Sequence, residues 1–538
     1  MTMLSKDQLN SISKDDLINM YLKIQDKMSI LEERIAVMTV NTYGRKSEKL
    51  SALNPDQVNL FNEMEAVADG TKYDDGKPVE ESSDANAEVE TEEITYTRKK
   101  KKGKRALDLD QLPKVKVMHE LSEEELVAKF GENGWKRLPD QVYSKLEVEP
   151  AKYYVAEHHI AVYAGKNSDT MIKAEHPAEL LNNSLATASL VAGILNGKYS
   201  NAMPLYRIEK EFSANGIPVS RQDMANWVIR CSERYLSLLY DRLHELLQKE
   251  HVVQADETPV FVSKDDRPAG SKSEMWVYRT GEYNTDTPIV LFEYDPGRAA
   301  AVPLDFLKNF KGYLECDAYG AYHKLSKLSE EIIVCSCWAH ARRRFSDAVK
   351  AYGKTQAGVQ DTLAYRALEK IGAIYNLDEK FKKLPPEERA KRRQTTIKRR
   401  VDAFFAWAKE HQFDTGKKDK TAEGFAYCIN NEIYLRRFLE DGEIPLDNSA
   451  TERAIRPFTL FRKTWKLIDT PSGADASAIM YSIVETAKAN NLKIYDYFKL
   501  LLEEIPKHMD NKNLEFLDDL LPWSENVKSK CSKTQKSK

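Results

Sequence analysis

Long apolar runs, regularly spaced cysteines and an excess of positive charge are all missing from this 538-residue sequence. No run of ~18 apolar residues occurs, so we expect no membrane-spanning helix. Six cysteines without regular spacing do not indicate a disulfide scaffold. The opening residues, MTMLSKDQLNSISKDD, lack the basic and apolar segments of a secretory signal. We therefore expect a cytoplasmic protein of several domains.

The net charge of −3 hides a strongly uneven distribution along the chain. Residues 63–93 contain twelve acidic side chains and two lysines, which leaves the rest of the chain net positive by seven. Polar composition predicts that residues 45–106 are a disordered linker. Its basic end could contact a phosphate backbone, or it could be a solvated segment folded against the acidic run. The basic residues are Arg98, Lys99, Lys100, Lys101, Lys102, Lys104 and Arg105.

Apolar residues near the N-terminus alternate at spacings of four and three, which is the a/d pattern of a coiled coil. We expect residues 1–44 to form this coiled coil and to dimerise the chain. The alternative is an amphipathic helix that packs on its own domain. The residues of the seam are Leu17, Tyr21, Ile24, Met28, Leu31, Ile35 and Met38.

Residues 107–177 resemble a small β-rich module without cysteine, and residues 178–250 are expected to be helical. Within the helical region, residues 213–218 form a glycine-containing turn between two helices, and Ser220 can cap the second helix. This pattern predicts a DNA-binding helix-turn-helix, although many such pairs are purely structural. Base-edge or phosphate contacts are then expected from Arg221, Gln222 and Asn226.

From His251 the sequence changes to short β-type runs, with helices after the third, fourth and fifth. This order, over residues 251–354, is that of a ribonuclease-H-like α/β fold. Residues 355–440 are expected to be a helical insertion, and residues 441–505 the end of the core. Residues 506–538 are expected to be a C-terminal tail, lysine-rich and disordered from Ser524. The predicted fold class is therefore multidomain α+β, with the α/β core preceded by the coiled coil and the helix-turn-helix region.

Asp256 and Asp317 each follow a short apolar run, at the predicted ends of two strands. If those strands are neighbours, the two carboxylates come together and repel each other unless a cation lies between them. Mg²⁺ prefers such oxygen ligands, and Mn²⁺ can substitute for it. A pair of these ions, roughly 3.5–4 Å apart, supports phosphoryl transfer on DNA.

A third acid would complete such a site, and the residues alone leave its identity open. Glu452 follows a good N-cap at Asp447 or Asn448 and falls in the first turns of a helix. Asp447 itself and Glu257 are the alternatives. Basic residues that could bind phosphate surround the site: His340, Arg343, Arg453, Arg456, Arg462 and Lys463.

Four motifs together resemble the transposases of insertion-sequence family sixty-six: ADET at Asp256, CDAYGAY at Asp317, CWAHARRRF from Cys337 and DNSATERAIRPFTLFRKTW from Asp447. The resemblance implies an Asp-Asp-Glu triad, with Glu452 as the third acid. It implies Mg²⁺-dependent cleavage at element ends and strand transfer into target DNA. It also implies homodimers or higher oligomers, accessory proteins of the same element, and a cytoplasmic, nucleoid-associated location.

One departure from the family concerns its cysteine-rich zinc module, because residues 107–175 contain no cysteine. We therefore expect no zinc. Two other activities remain open: a transposase-derived regulator that binds DNA without catalysis, and a metal-dependent nuclease that cuts without joining. A glycosidase built on Asp256 and Glu257 is disfavoured, because adjacent strand residues point to opposite faces.

Overall fold

A computed structural model describes residues 120–132, 152–164, 171–175, 179–268, 270–353, 358–415, 419–465, 467–510 and 513–533, with the single residues 14, 116 and 118. The predicted coiled coil of residues 1–44 and the basic residues 98–105 lie outside the described residues. The described residues fall into two units, and the smaller one consists of residues from 65–177 and 533–538. It contains helix α1 (Glu123–Phe130), capped by Ser122, and an antiparallel pair, β1 (Val162–Ala164) and β2 (Met171–Lys173).

From residue 179 the larger unit contains four helices whose apolar faces are buried in a common core. The second pair forms around a turn in which Gly216 has φ of 73°, a left-handed conformation that favours glycine. Ser220 accepts from the backbone N–H of Asp223, as the sequence predicts. The helices are α2 (Ala188–Leu195), α3 (Leu205–Ala214), α4 (Arg221–Cys231) and α5 (Ser237–Leu247), with π-helical turns at Asn196–Ser200 and Ser232–Leu236.

A five-stranded sheet follows, in the order β5-β4-β3-β6-β7. The first three strands pair antiparallel, whereas β6 lies parallel to both β3 and β7. The strands are β3 (Val252–Val260), β4 (Ser273–Thr280), β5 (Val290–Asp295), β6 (Gly312–Cys316) and β7 (Ile332–Ser336). Helices α6 (Ala301–Phe306), α7 (Gly320–Leu328) and α8 (Trp338–Tyr352) follow β5, β6 and β7 respectively.

The expected order of these elements is confirmed, but the expected end of the first strand is wrong. We predicted that this strand ends at Asp256, and β3 continues to Val260. The cause is its hairpin partner, because β4 pairs with β3 as far as Val260, whereas β6 leaves β3 after Gln254. Asp256 therefore lies inside a strand, just beyond the point where β6 stops pairing.

The two faces of the sheet belong to two separate apolar cores. Val253 and Ala255 pack in the first core with helices α2–α5. Val252 and Cys335 pack in the second core with the helices of residues 355–440. Cys335 thus lies buried in β7. Residues 355–440, the expected insertion, contain α9 (Leu363–Phe381), α10 (Pro386–Arg392), α11 (Lys398–His411), α12 (Lys420–Asn430) and α13 (Glu432–Arg436).

The chain then returns to the sheet through α14 (Ser449–Trp465) and α15 (Pro471–Ala489). Helix α15 covers the edge strand β5, whose backbone N–H groups at Val290 and Phe292 donate to Thr486 and Ser482 at 2.9 and 2.7 Å. These hydroxyls satisfy strand groups that would otherwise be open to pairing. Helix α16 (Ile494–Glu504) follows. No helix in the described part of the chain is long and apolar enough to cross a membrane.

The prediction of a disordered tail from Ser524 is wrong for residues 524–532. Ser524 caps a helix, α17 (Glu525–Cys531), and a backbone bridge joins Ser532 to Leu492. Val527 and Cys531, four residues apart, are both buried. They lie on one face of the helix and pack into the core, while the lysines between them remain exposed.

Candidate active site

The register of the two central parallel strands brings Asp256 and Asp317 level with each other. Gln254 of β3 pairs with Glu315 of β6, and each aspartate follows two residues later, Asp256 within β3 and Asp317 directly after the end of β6. Side chains two residues apart point to the same face. The backbone N–H of Glu257 donates to Asp256 Oδ1 at 2.9 Å, and that of Tyr319 donates to Asp317 Oδ1 at 2.8 Å. The backbone therefore orients both carboxylates at one place on the sheet.

Asp256 interacts electrostatically with three other carboxylates. Its pKa is raised well above the usual value, mainly by burial and then by the negative charges of Glu257, Glu452 and Asp317. Burial and like charges both disfavour the ionised form. A cation at this position would lower the Asp256 pKa again, because it stabilises the ionised form.

Glu452 reaches this group from the first turn of α14. Its side chain is 14% exposed and is held by Arg343 of α8, whose Nη2 donates to both carboxylate oxygens at 3.0 Å. His340 Nε2 lies 3.7 Å from Glu452 Oε1. The His340 pKa is lowered, first by burial and then by the neighbouring Arg343 charge. Two residues on successive turns of α8 thus face the third carboxylate.

The two alternative acids are engaged elsewhere. Asp447 accepts from the backbone N–H of Ser449 at 2.9 Å and from the Tyr375 hydroxyl at 2.8 Å. Glu257 is ion-paired with Arg298, and its Oε2 accepts from the Tyr322 hydroxyl at 2.9 Å. Both carboxylates are therefore used to hold the local structure.

The donors of Asp256, Asp317 and Glu452 are of the kind that a hard divalent cation prefers. Within the described ranges, however, no three His, Cys, Asp or Glu side chains converge in a group that could hold a metal ion. Glu452 is directed at Arg343 instead. The donor chemistry fits a divalent ion, and binding would require Glu452 to exchange its partner.

The predicted DNA contacts are spread over several elements. Arg221, Gln222 and Asn226 are exposed on α4, and Lys463 is exposed on α14. On the same helix, Arg453 lies 3.5 Å from Glu282, and Arg456 is partly buried. Arg462 also belongs to α14. His340 and Arg343 both contact Glu452 of the candidate triad.

Sequence reasoning missed two side chains that hold the start of the helix on which Glu452 lies. Asn448 is fully buried between α14 and β3, and Arg279 of β4 donates to the Ala450 carbonyl at 3.0 Å. Burial lowers the pKa of Arg279 to about 10. Asn448 was considered only as a helix cap, and nothing in the local pattern of β4 marks Arg279.

The family model for the Transposase IS66 family matches residues 183–476, which is more than half of the chain. The chain belongs to this transposase family. Two further models match other parts of this IS66 transposase: one described as Transposase C of IS166 homeodomain at residues 30–117, and the IS66 C-terminal element at residues 482–523. The resemblance stated from the motifs is thus confirmed.

Curated relatives of this IS66 transposase occur in Sinorhizobium fredii (strain NBRC 101917 / NGR234). The uncharacterized protein y4qI is 30% identical over 390 residues, which cover 71% of this chain and 70% of that protein. The uncharacterized protein y4jD is 25% identical over 397 residues, which cover 72% and 76% respectively. The similarity therefore includes most of both relatives.

Proposed function

We propose that this member of the IS66 transposase family cleaves DNA at insertion-element ends and joins the freed ends to target DNA. Its catalytic carboxylates are Asp256, Asp317 and Glu452. The observation that carries this proposal is the placement of Asp256 within β3 and of Asp317 directly after β6, its parallel neighbour, with the charge of Glu452 on α14 acting on Asp256. Glu452 is preferred as the third acid because its motif resembles that of the family, whereas Asp447 is bonded to Ser449 and Tyr375 and Glu257 is paired with Arg298.

The proposal includes a ribonuclease-H-like catalytic core with a helical insertion. The sheet order β5-β4-β3-β6-β7 supports it, because three antiparallel strands are followed by two strands parallel to the first. The insertion, residues 355–440, separates the two aspartates from Glu452 along the chain. Contact between α14 and β3 supports a site that includes all three.

Asp256, Asp317 and Glu452 would hold Mg²⁺, or Mn²⁺ in its place. When bound, such ions activate an attacking water or 3′-hydroxyl and stabilise the leaving oxygen. The chain's own contribution is orientation: backbone N–H groups fix one oxygen of each aspartate, and Arg343 holds Glu452. The side chain of Arg343 is 47% exposed, so it can also approach a DNA phosphate.

The DNA partners are proposed to be element ends and target DNA. Exposed Arg221, Gln222 and Asn226 follow a capped helix start on α4, which suits contact with a groove or with phosphates. The basic residues 98–105 and the coiled coil remain sequence predictions for backbone contact and dimerisation. Accessory proteins and a cytoplasmic, nucleoid-associated location belong to the same proposal.

The first prediction concerns the catalytic triad. Asp256→Asn, Asp317→Asn and Glu452→Gln each remove a charged metal ligand while preserving side-chain size. Each should abolish Mg²⁺-dependent cleavage of labelled element-end DNA, with DNA binding by gel shift retained. The matched control for Glu452 is Asp447→Asn, which keeps an oxygen to accept from Ser449 and should still cleave.

A result in which Asp447→Asn loses cleavage and Glu452→Gln retains it would transfer the third role to Asp447. Exposed Asp469, which pairs with Lys264 at 2.7 Å, provides a surface control. Asp469→Asn should behave as the unaltered protein in both assays. Cleavage by all three triad variants would reject the proposed site.

A further inference from the structure

Asn448 joins the strand of Asp256 to the helix of Glu452. It directly precedes α14 and is fully buried. Its Nδ2 donates to the carbonyl of Ala255, the residue before Asp256, at 2.8 Å. Its Oδ1 accepts from Gln254 Nε2 at 3.4 Å. The side chain is therefore bonded to β3 through both of its polar atoms.

The backbone of Asn448 makes the corresponding bonds on the helix side. Its carbonyl accepts from the N–H groups of Thr451 and Glu452 at 3.0 and 3.1 Å. Its own N–H donates to Cys337 Sγ, at the start of α8, at 3.2 Å. One residue thus connects the first turn of α14 to β3 and to α8, which carries Arg343.

Other contacts also hold the first turn of α14. Arg279 holds the Ala450 carbonyl from β4, and Asp447 holds the Ser449 N–H from within the loop. The Asn448 side chain bonds the residue next to Asp256, and the Asp447 carbonyl accepts from Gln254 of the same strand at 3.2 Å. The separation of Glu452 from Asp256 is therefore set most directly through Asn448.

We infer that Asn448 is a positioning residue that fixes Glu452 opposite Asp256, an inference that rests on the proposed carboxylate site. It touches neither substrate nor metal and acts through the start of α14. Its loss would leave the helix present but free to shift relative to β3. Residues that orient metal ligands in this way typically change metal affinity or activity by about 10–100-fold when altered.

The test is a calorimetric titration of the full chain with Mn²⁺ in the absence of DNA. Asn448→Ala should raise the Mn²⁺ dissociation constant by about 10–100-fold. Asn448→Asp should do the same, because it keeps the size and the acceptor oxygen but places a carboxylate against the Ala255 carbonyl. If Asn448→Ala fails to fold, Asn448→Asp carries the test, with circular dichroism to verify its helix content.

The matched control is Asn431→Ala. Asn431 is also a buried asparagine at a helix end, and its Nδ2 donates to the Tyr427 carbonyl at 2.7 Å. It belongs to the insertion, so its loss should lower the melting temperature without changing Mn²⁺ affinity. An Asn448→Ala dissociation constant within twofold of the unaltered protein would overturn the inference, as would an equal effect of Asn431→Ala.

The Mn²⁺ titration and the cleavage assay together separate this inference from the proposed function. If the unaltered chain binds Mn²⁺ but does not cleave element ends, the proposed activity fails while the Asn448 comparison still decides the positioning role. If the unaltered chain binds no Mn²⁺, or if Asp256→Asn does not weaken binding, both are contradicted. Weaker Mn²⁺ binding and slower cleavage in Asn448→Ala together would support both.

Discussion

At the scale of single residues, the candidate site combines carboxylates that repel with a guanidinium that holds one of them. Burial and the neighbouring charges raise the Asp256 pKa, so the group of acids is unfavourable without a compensating cation. Arg343 supplies part of that compensation through Glu452. Cation binding should therefore compete with the Arg343–Glu452 ion pair.

This competition predicts opposite effects of Arg343→Ala on two measurements. Exposed ion pairs contribute about 0.2–1 kcal/mol, so releasing Glu452 should tighten Mn²⁺ binding without DNA by roughly 1.5- to 5-fold. Cleavage of element-end DNA should fall, because a group near the phosphates is lost. Unchanged or weaker Mn²⁺ binding, measured by calorimetry, would show that the Arg343–Glu452 ion pair does not compete with cation binding.

The control for this prediction is the next residue of α8. Arg344 is also exposed, but its guanidinium lies over the Tyr427 ring at 4.7 Å rather than on Glu452. Arg344→Ala removes the same charge from the same helix. Its Mn²⁺ affinity should change less than that of Arg343→Ala.

At the scale of elements, a buried arginine fixes the helical insertion to the loop that leads into α14. Arg393 is fully buried, and its Nε and Nη2 donate to Asp378 at 2.7 and 3.0 Å. Its Nη1 donates to the carbonyls of Phe438, Asp441 and Ile444 at 2.7–3.0 Å. Gly442 lies in the same loop, where an added Cβ would meet the Pro386 carbonyl oxygen at 1.9 Å. The insertion is thus tightly joined to this loop.

We predict that Arg393→Met lowers the free energy of unfolding by about 3–5 kcal/mol, because Asp378 is left buried without its partner. Urea denaturation measures this change. The double variant Arg393→Met with Asp378→Leu should recover part of the loss, since the uncompensated charge is gone. A loss below about 1 kcal/mol in the single variant would mean that the ion pair contributes little to this junction.

The sequence was informative about the order of elements but not about their ends. Alternating runs and turn residues correctly predicted the strands and helices from His251 to Tyr352. The extension of β3 to Val260 depends on pairing with β4, which local pattern does not contain. The helix at Glu525–Cys531 likewise depends on packing of Val527 and Cys531 against distant residues.

The candidate site was predictable to different extents for its three acids. Two strand-associated aspartates could be inferred from the strands that precede them. Glu452 could not be separated from Asp447 by spacing, because both lie near one helix start. Their hydrogen bonds distinguish them: Asp447 binds Ser449 and Tyr375, whereas Glu452 faces Arg343. Tertiary contacts of this kind leave no signal in the local sequence.

At the scale of the whole molecule, Asp256, Asp317 and Glu452 all lie within the residues that the family model matches, in the larger unit. The coiled coil that the sequence predicts over residues 1–44 lies outside that match. Deleting it should lower the oligomeric mass measured by light scattering, because the a/d seam is removed. Mn²⁺ binding should persist, and an unchanged mass would reject the dimerisation role.

The central claim is that Asp256, Asp317 and Glu452 form one catalytic site for transposition. Strand transfer of labelled element ends into target DNA in the presence of Mg²⁺ tests it most directly. The unaltered chain should cleave and join the ends, and Glu452→Gln should bind them without doing either. Binding without cleavage by the unaltered chain, cleavage without joining, or joining by Glu452→Gln would each contradict the claim.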